Sequence, residues 1–527
     1  MKRLLLLISI LLTTSVSPAA DTLIVVNDEQ GRERFETRYR LTPMLPEKPY
    51  TKYSLYWDYS DRTSGNAALY YEQAYSESVR VASRRIHGNA YELLSKIWDK
   101  TVDDPPLDKA FLVQNTFPYI QMSNETEEEK HNFTYGYYAT TWDYSQTKYF
   151  ENFESHLDET RKFVDQYNEV FRLMERGSRC DHFDFGISLS SDFITELPST
   201  IQHVRELARL LAVKIRLEIA EGKYEEAVKS IRIGMEMAKH LGDQPPLICP
   251  LVGIAIHGIV HAQLMELLER KDSPNLYWAM SNRPNPYFNF AQSVQAEKTF
   301  LYQIFPLLKK TIENTDSLSD AEWELFCKQA DNMISEELQY APQGVQIPEI
   351  SVEAAYPAAK KWLVKQGKTE SEINAISKEK AVGLHAVGDI QIVWGNCFST
   401  VYLPIWEITE DSEEDKPLFY QESLEGLSPY AKFLGLQIYP PIDSGKKAFR
   451  RVQVQTDGVR ISQAIRMYMA ENDGKLPAKL DDIKNVTVPC IDPYTGKPYR
   501  YRLENGVGII DIPEHNYPLT IYFEPQK

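Results

Sequence analysis

Two histidines in the sequence have a spacing that is compatible with binding one metal ion. His257 and His261 lie four residues apart in a long apolar stretch, so a helix would bring both imidazoles to one side, as in metal sites. Gly258 stands where a metalloprotease helix carries its general base, so that motif is incomplete. Nearness in sequence suggests three possible further ligands, namely Glu236, His240 and Glu266. We predict core or interface histidines, with a metal site at His257 and His261 as the alternative.

A second feature is the motif Trp-Asp-Tyr-Ser, which occurs at 57–60 and again at 142–145 in tyrosine-rich sequence. Aromatic platforms beside paired carboxylates are the means by which enzymes stack and cleave sugars. An alternative hypothesis is therefore a helical glycan-active hydrolase or lyase, in which Asp58 or Asp143 meets a second acid. No motif identifies that second acid, and we expect the aromatic residues mainly to pack helices together.

Other catalytic signatures are missing from the sequence. It contains no G-x-S-x-G elbow, no G-x-G-x-x-G fingerprint and no Walker loop. The five cysteines form no C-x-x-C pair, which argues against a zinc site and leaves the disulfide pattern open. We predict no catalytic residue and no cofactor, and we favour a non-catalytic role over an enzyme.

Composition describes a globular chain with an acidic balance. Hydrophobic residues make up 43% and charged residues 25% of the 527 positions, and 75 acidic residues outnumber 58 basic ones, for a net charge of −17. Such a charge repels phosphate backbones, so we expect no nucleic-acid partner.

The first 20 residues have the pattern of a secretory signal peptide. Lys2 and Arg3 precede the apolar run 4–12, and Ser17-Pro18-Ala19 offers a small-x-small cleavage site. The later apolar stretch 247–268 is interrupted by a proline and polar residues. We therefore expect a periplasmic or extracellular protein that has no stable membrane insertion after cleavage.

The elements that would position these residues are mostly helices. Apolar residues recur with helical period from about 66 to 408, most clearly in a hairpin at 199–241 and a nearly all-apolar helix after 247. After Pro489 the period changes to two, which predicts a hairpin with its turn at 504–506 and a third strand at 519–523. We predict a mainly α fold, with an irregular multi-helix body at 21–440 and a small α+β cap at 445–527.

Two segments resemble known families. The run 220–227, Ala-Glu-Gly-Lys-Tyr-Glu-Glu-Ala, resembles the turn and second helix of a tetratricopeptide repeat. Because one hairpin cannot form a peptide-binding superhelix, we expect a structural role for it. The run 459–501, with Gly474-Lys475-Leu476-Pro477 and Asp492-Pro493-Tyr494, resembles the head of a type II secretion pseudopilin.

The helical block contains a set of short runs, namely Asn66-Ala67-Ala68, Cys180-Asp181, Leu197-Pro198, Ala220-Glu221-Gly222-Lys223, Leu247-Ile248 and Leu251-Val252. Together, the helical block with these runs and this tail resemble uncharacterised exported proteins of planctomycete-type bacteria. The resemblance implies an architecture and a place in the cell envelope, and it implies no activity. From these observations we predict an exported, non-catalytic envelope protein that acts through protein–protein contacts. The expected partner is an envelope protein, and a glycan is the alternative ligand.

Overall fold

The computed structural model describes most of the chain. The described residues are 24–27, 33–86, 157–186, 193–245, 247–284, 287–314, 318–338, 351–399, 427–489, 491–512 and 519–526. Trp142, Asp143 and the predicted signal peptide lie outside these ranges.

The predicted fold class is confirmed, because the described chain is mostly helical with a small sheet at its C-terminal end. The helices are α1 Ala67–Ile86, α2 Leu157–Asp165, α3 Asn168–Ser178, α4 Phe193–Ala220, α5 Tyr224–Gly242, α6 Ile248–Leu268, α7 Tyr277–Ser281, α8 Phe290–Ile304, α9 Pro306–Glu313, α10 Asp320–Leu338, α11 Val352–Lys365, α12 Glu370–Asn374, α13 Lys378–Ser399 and α14 Pro429–Glu471. The strands are β1 Ile24–Asn27, β2 Glu33–Leu41, β3 Thr63–Asn66, β4 Cys180–His182, β5 Arg500–Glu504, β6 Val507–Ile512 and β7 Leu519–Pro525.

Helices α4, α5 and α6 form the centre of the helical body. A tight turn joins α4 to α5, and Gly222 there has a φ of +72°, which side chains other than glycine rarely adopt. Helix α5 packs closely on α6 at Gly253. A Cβ atom there would lie only 2.7 Å from the carbonyl oxygen of Ala238, so the close approach requires glycine. Most residues of α6 are buried, which agrees with its apolar circumference.

Helix α6 also has the length and composition of a membrane span. It is the one such helix among the described residues, and 89% of its most apolar window is buried inside the protein. A core helix of a folded domain shows this same burial.

The larger sheet joins the two ends of the chain. Its strand order is β1-β2-β7-β6-β5, and β2 runs parallel to β7 with Tyr39 opposite Phe523. The predicted C-terminal strands are present as β5, β6 and β7, and the hairpin turns at Asn505 and Gly506, which both have positive φ. Residues 24–27 and 33–41 supply the two further strands, and no sequence pattern predicted that they join the C-terminal strands in one sheet.

Helix α14 lies against the inner face of this sheet. Tyr39, Ile521 and Phe523 are buried there, and a Cβ atom at Gly458 of α14 would lie 2.6 Å from the Tyr39 hydroxyl. The helix spans positions 440–445, where we placed the boundary between body and cap. The division into domains stays a prediction, and the structure shows that one continuous helix crosses it.

A buried arginine joins the cap, the N-terminal strand and the helical body. Arg466 of α14 is 0% exposed. Its guanidinium group donates to the carbonyl oxygens of Thr42, Ser273 and Pro274 at 3.0, 2.8 and 3.3 Å. Burial lowers the pKa of Arg466 to about 10. Because these acceptors come from two other segments, the arginine fixes three parts of the chain at one point, which we call the Arg466 joint.

Neighbouring polar contacts extend the Arg466 joint. The Asn275 side-chain amide donates to the carbonyl oxygens of Met44 at 3.0 Å and Gln463 at 2.9 Å. The Gln463 side chain in turn accepts the Leu276 N–H at 3.1 Å. The cap therefore docks on the helical body through buried hydrogen bonds.

We predict that Arg466→Leu lowers the free energy of unfolding by about 3 kcal/mol or more, since it leaves several buried carbonyl groups without donors. Differential scanning calorimetry checks this as a fall in Tm. The control is Arg80→Met, because Arg80 is an exposed arginine that pairs with Glu77 on the surface of α1, and surface changes of this kind stay within about 0.5 kcal/mol. Equal effects of the two substitutions would contradict the role of the joint.

Candidate functional site

The first Trp-Asp-Tyr-Ser motif lies in the segment 54–62, between β2 and β3, which we call the Trp57 turn. The Trp57 side chain is only 7% exposed. Its indole N–H donates to the Ser178 hydroxyl at 3.0 Å, and the guanidinium carbons of Arg179 and Arg232 lie 3.9 and 4.5 Å from its ring centroid. The ring is thus an internal anchor, and it has no free face to offer a sugar.

Two residues of helix α5, Arg232 and Glu236, form hydrogen bonds to the Trp57 turn. Glu236 accepts the Trp57 main-chain N–H at 2.9 Å and an N–H of Arg62 at 2.8 Å. Arg232 donates from Nε to the Ser54 carbonyl oxygen at 2.7 Å. Burial raises the pKa of Glu236, and the positive charge of Arg62 opposes that rise.

His240 lies one turn further along α5 and is also bound on both sides. Its Nε2 lies 3.1 Å from the Cys180 carbonyl oxygen, which can only accept, so Nε2 carries the proton. Nδ1 then accepts from the Tyr71 hydroxyl at 2.9 Å. Burial lowers the pKa of His240 to about 3, so the imidazole is neutral at pH 7. It ties α1 and β4 to α5.

The tip of the Trp57 turn faces solvent. Tyr59 is 96% exposed, and Asp58 beside it is exposed as well. The glycan hypothesis needs an exposed Trp57 or Trp142 beside Asp58 or Asp143. At the first of these two motifs the structure buries the indole of Trp57 and exposes Tyr59. The second motif, at 142–145, lies outside the described residues.

The predicted histidine pair lies inside α6. His257 is 2% and His261 is 1% exposed, and their ring centroids are 5.6 Å apart. Tyr287 and Phe288 pack edge-on against His257. Within the described ranges, no three His, Cys, Asp or Glu side chains are grouped so that they could hold a metal ion.

Burial keeps both histidines of the pair neutral. It lowers the pKa of His261 to about 4. It also lowers the pKa of His257 well below the usual value, and the neighbouring His261 lowers that pKa further. An apolar core disfavours the charged imidazole. Protonation of these histidines in acid therefore destabilises the fold.

The structure also brings together a histidine, an aspartate and a serine that sequence reasoning missed. Asp389 of α13 has one carboxylate oxygen 3.1 Å from His385 Nε2, and the same oxygen accepts the Ser428 main-chain N–H at 2.5 Å. The Ser428 hydroxyl accepts the Ala431 N–H and so caps α14. This is a helix-capping arrangement, because the carboxylate contacts the serine main chain while the hydroxyl serves the helix. The i, i+4 spacing of His385 and Asp389 was the available signal.

Three cysteines, Cys180, Cys249 and Cys327, are free and buried. Burial raises the pKa of each of these thiols, so they are poor nucleophiles. The side chains of Cys397 and Cys490 lie outside the described residues, so the disulfide question stays open for them.

Comparison of the chain with models of protein families, with curated proteins and with solved structures found no match. The resemblances to a tetratricopeptide hairpin and to a pseudopilin head therefore stay expectations from sequence. For those segments the structure gives the helical hairpin α4–α5 and the sheet that packs on α14.

We predict that Trp57→Ala frees the Trp57 turn, because it removes a ring that two arginines contact and a hydrogen bond to Ser178. Truncation of a buried aromatic residue costs about 3 to 5 kcal/mol. Hydrogen exchange followed by mass spectrometry should show residues 54–62 exchanging at least about tenfold faster. The control Leu325→Ala removes a half-exposed side chain from α10 and should leave this segment unchanged. Unaltered exchange in Trp57→Ala would show that the indole is not the anchor.

We predict that His261 weakens the fold in acid. Its pKa in the folded state lies below the unfolded value of about 6.5, so the stability it contributes is complete above pH 6.5 and is lost as the pH falls to about 4. Relative to His261→Leu, the wild type should lose on the order of 3 kcal/mol across this window. Urea unfolding of both proteins at pH 7 and pH 4.5 measures the difference, and parallel losses would contradict the prediction.

Proposed function

We propose that this is an exported, non-catalytic protein of the cell envelope that acts through contacts with another protein. The supporting observation is that three buried charged or titratable groups form hydrogen bonds within the protein. Glu236, His240 and Arg466 each connect separate segments of the same chain. A catalytic centre requires such groups to face a substrate, whereas the hydrogen bonds of these three groups join separate segments of the chain.

The proposal of export rests on the N-terminal sequence. A basic start, an apolar run and a small-x-small site are together typical of a cleaved leader. Cleavage near Ala19 or Ala20 would leave β1, which begins at Ile24, intact. The partner is proposed to be a protein because a chain with a net charge of −17 is suited to binding a complementary basic surface.

The test combines cell fractionation with crosslinking of intact cells. The full chain with a C-terminal tag should appear outside the cytoplasm with residues 1–20 removed, as N-terminal sequencing would show. An amine-reactive crosslinker should yield a discrete larger species that contains a second envelope protein. The control is Leu7→Arg, because a charge in the apolar run should keep the uncleaved chain in the cytoplasm and abolish that species. A chain that stays in the cytoplasm, or that gives no adduct from the envelope, would contradict the proposal.

A further inference from the structure

We propose that residues Asp58–Asp61, with Tyr59 at the tip, form the contact site for a basic surface on the protein partner. This inference rests on the proposed function and names the place and the chemistry of the contact. It also gives a role to the first Trp-Asp-Tyr-Ser motif, at 57–60. The tryptophan of that motif is buried and cannot stack on a sugar.

The tip has a defined backbone. Residues Tyr59–Asp61 form one 3-10 turn, in which the Asp61 N–H donates to the Asp58 carbonyl oxygen at 3.0 Å. The Arg62 N–H donates to the Tyr59 carbonyl oxygen at 3.3 Å. With these bonds in place, Tyr59 projects from a closed turn while 96% of its surface remains accessible.

Both ends of the turn are fixed to the helical body. Before the tip, Trp57 is bound by Ser178 and Glu236. After the tip, Arg62 is bound by Glu236, and the Thr63 N–H donates to the Arg179 carbonyl oxygen at 2.9 Å. A loop held in this way loses little conformational entropy on binding, which favours affinity. Tyrosine is also enriched among the residues that dominate binding energy, because it offers a large rigid ring with a polar end.

The acidic side chains of the tip favour a partner with a basic surface. Of three nearby guanidinium groups, Arg62 is paired with Glu236 at 2.8 Å and Arg179 with Glu175 at 2.7 Å. Among these arginines of the described residues, Arg232 remains to oppose Asp58 and Asp61, and its Nε is bound to the Ser54 carbonyl oxygen. Counted over the described residues, two aspartates against one arginine leave the tip with a net negative charge. The net charge of −17 on the chain also favours the approach of cationic surfaces to the protein.

Site-specific photocrosslinking tests this inference in the full chain. Tyr59 is replaced by p-benzoylphenylalanine, and envelope extract from the cells that make the protein is irradiated. The expected result is one discrete adduct whose crosslinked peptide is rich in lysine or arginine. Asp58→Asn combined with Asp61→Asn should reduce the adduct at least about fivefold, as should 0.5 M salt. Asp58 is exposed and Asp61 is half-buried, so an unchanged Tm verifies that the double variant folds.

A matched probe separates the two proposals. The same photoreactive residue is placed at Leu325, which is 46% exposed on α10. Adducts from position 325 but none from position 59 would overturn the Tyr59 contact and leave the proposed function standing. An adduct at position 59 that is insensitive to the aspartate changes, or that maps to an acidic segment, would also overturn it. If neither position gives an adduct and the amine crosslinker gives none, both proposals fail.

Discussion

The burial of one positive charge, for which the described residues supply no carboxylate partner, constrains the rest of this structure. Arg466 is fully buried and donates to carbonyl oxygens from residues 42 and 273–274. Removing a guanidinium group from water is costly, and only a complete set of acceptors offsets that cost. The N-terminal strand, the loop after α6 and helix α14 must therefore be in place together. This requirement makes the helical body and the sheet one cooperative unit.

The Trp57 turn depends on the same principle. The chain leaves β2 at Leu41, passes the Arg466 joint at Thr42, and reaches the buried carboxylate of Glu236 at Trp57. Each buried ionisable group in this path holds main-chain atoms in place, and the turn gains a fixed orientation from them. These contacts thus fix the part of the chain that carries Tyr59, which is the most exposed large hydrophobic side chain among the described residues.

Local patterns predicted much of the fold. Helical spacing located α4, α5 and α6, and the Asn505-Gly506 pair located the C-terminal hairpin, because both signals depend on neighbours in sequence. The pairing of β2 with β7 joins residues more than 480 positions apart, and no local pattern reports such a contact. Arg466 reads as an ordinary helical residue in Ile-Arg-Met, and the sequence left Trp57 open between a packing residue and a sugar platform. Their burial follows from tertiary packing, which sequence periodicity does not encode.

Native-state hydrogen exchange of the unmodified protein, measured over increasing denaturant, determines whether the Arg466 joint couples the three segments. If the Arg466 joint couples the three segments, the protected amides of β2, of residues 275–277 and of α14 near position 466 should open with one common free energy and one denaturant dependence. If β2 opens at a much lower free energy while α14 and the loop after α6 stay protected, the joint does not unite them and the account is wrong.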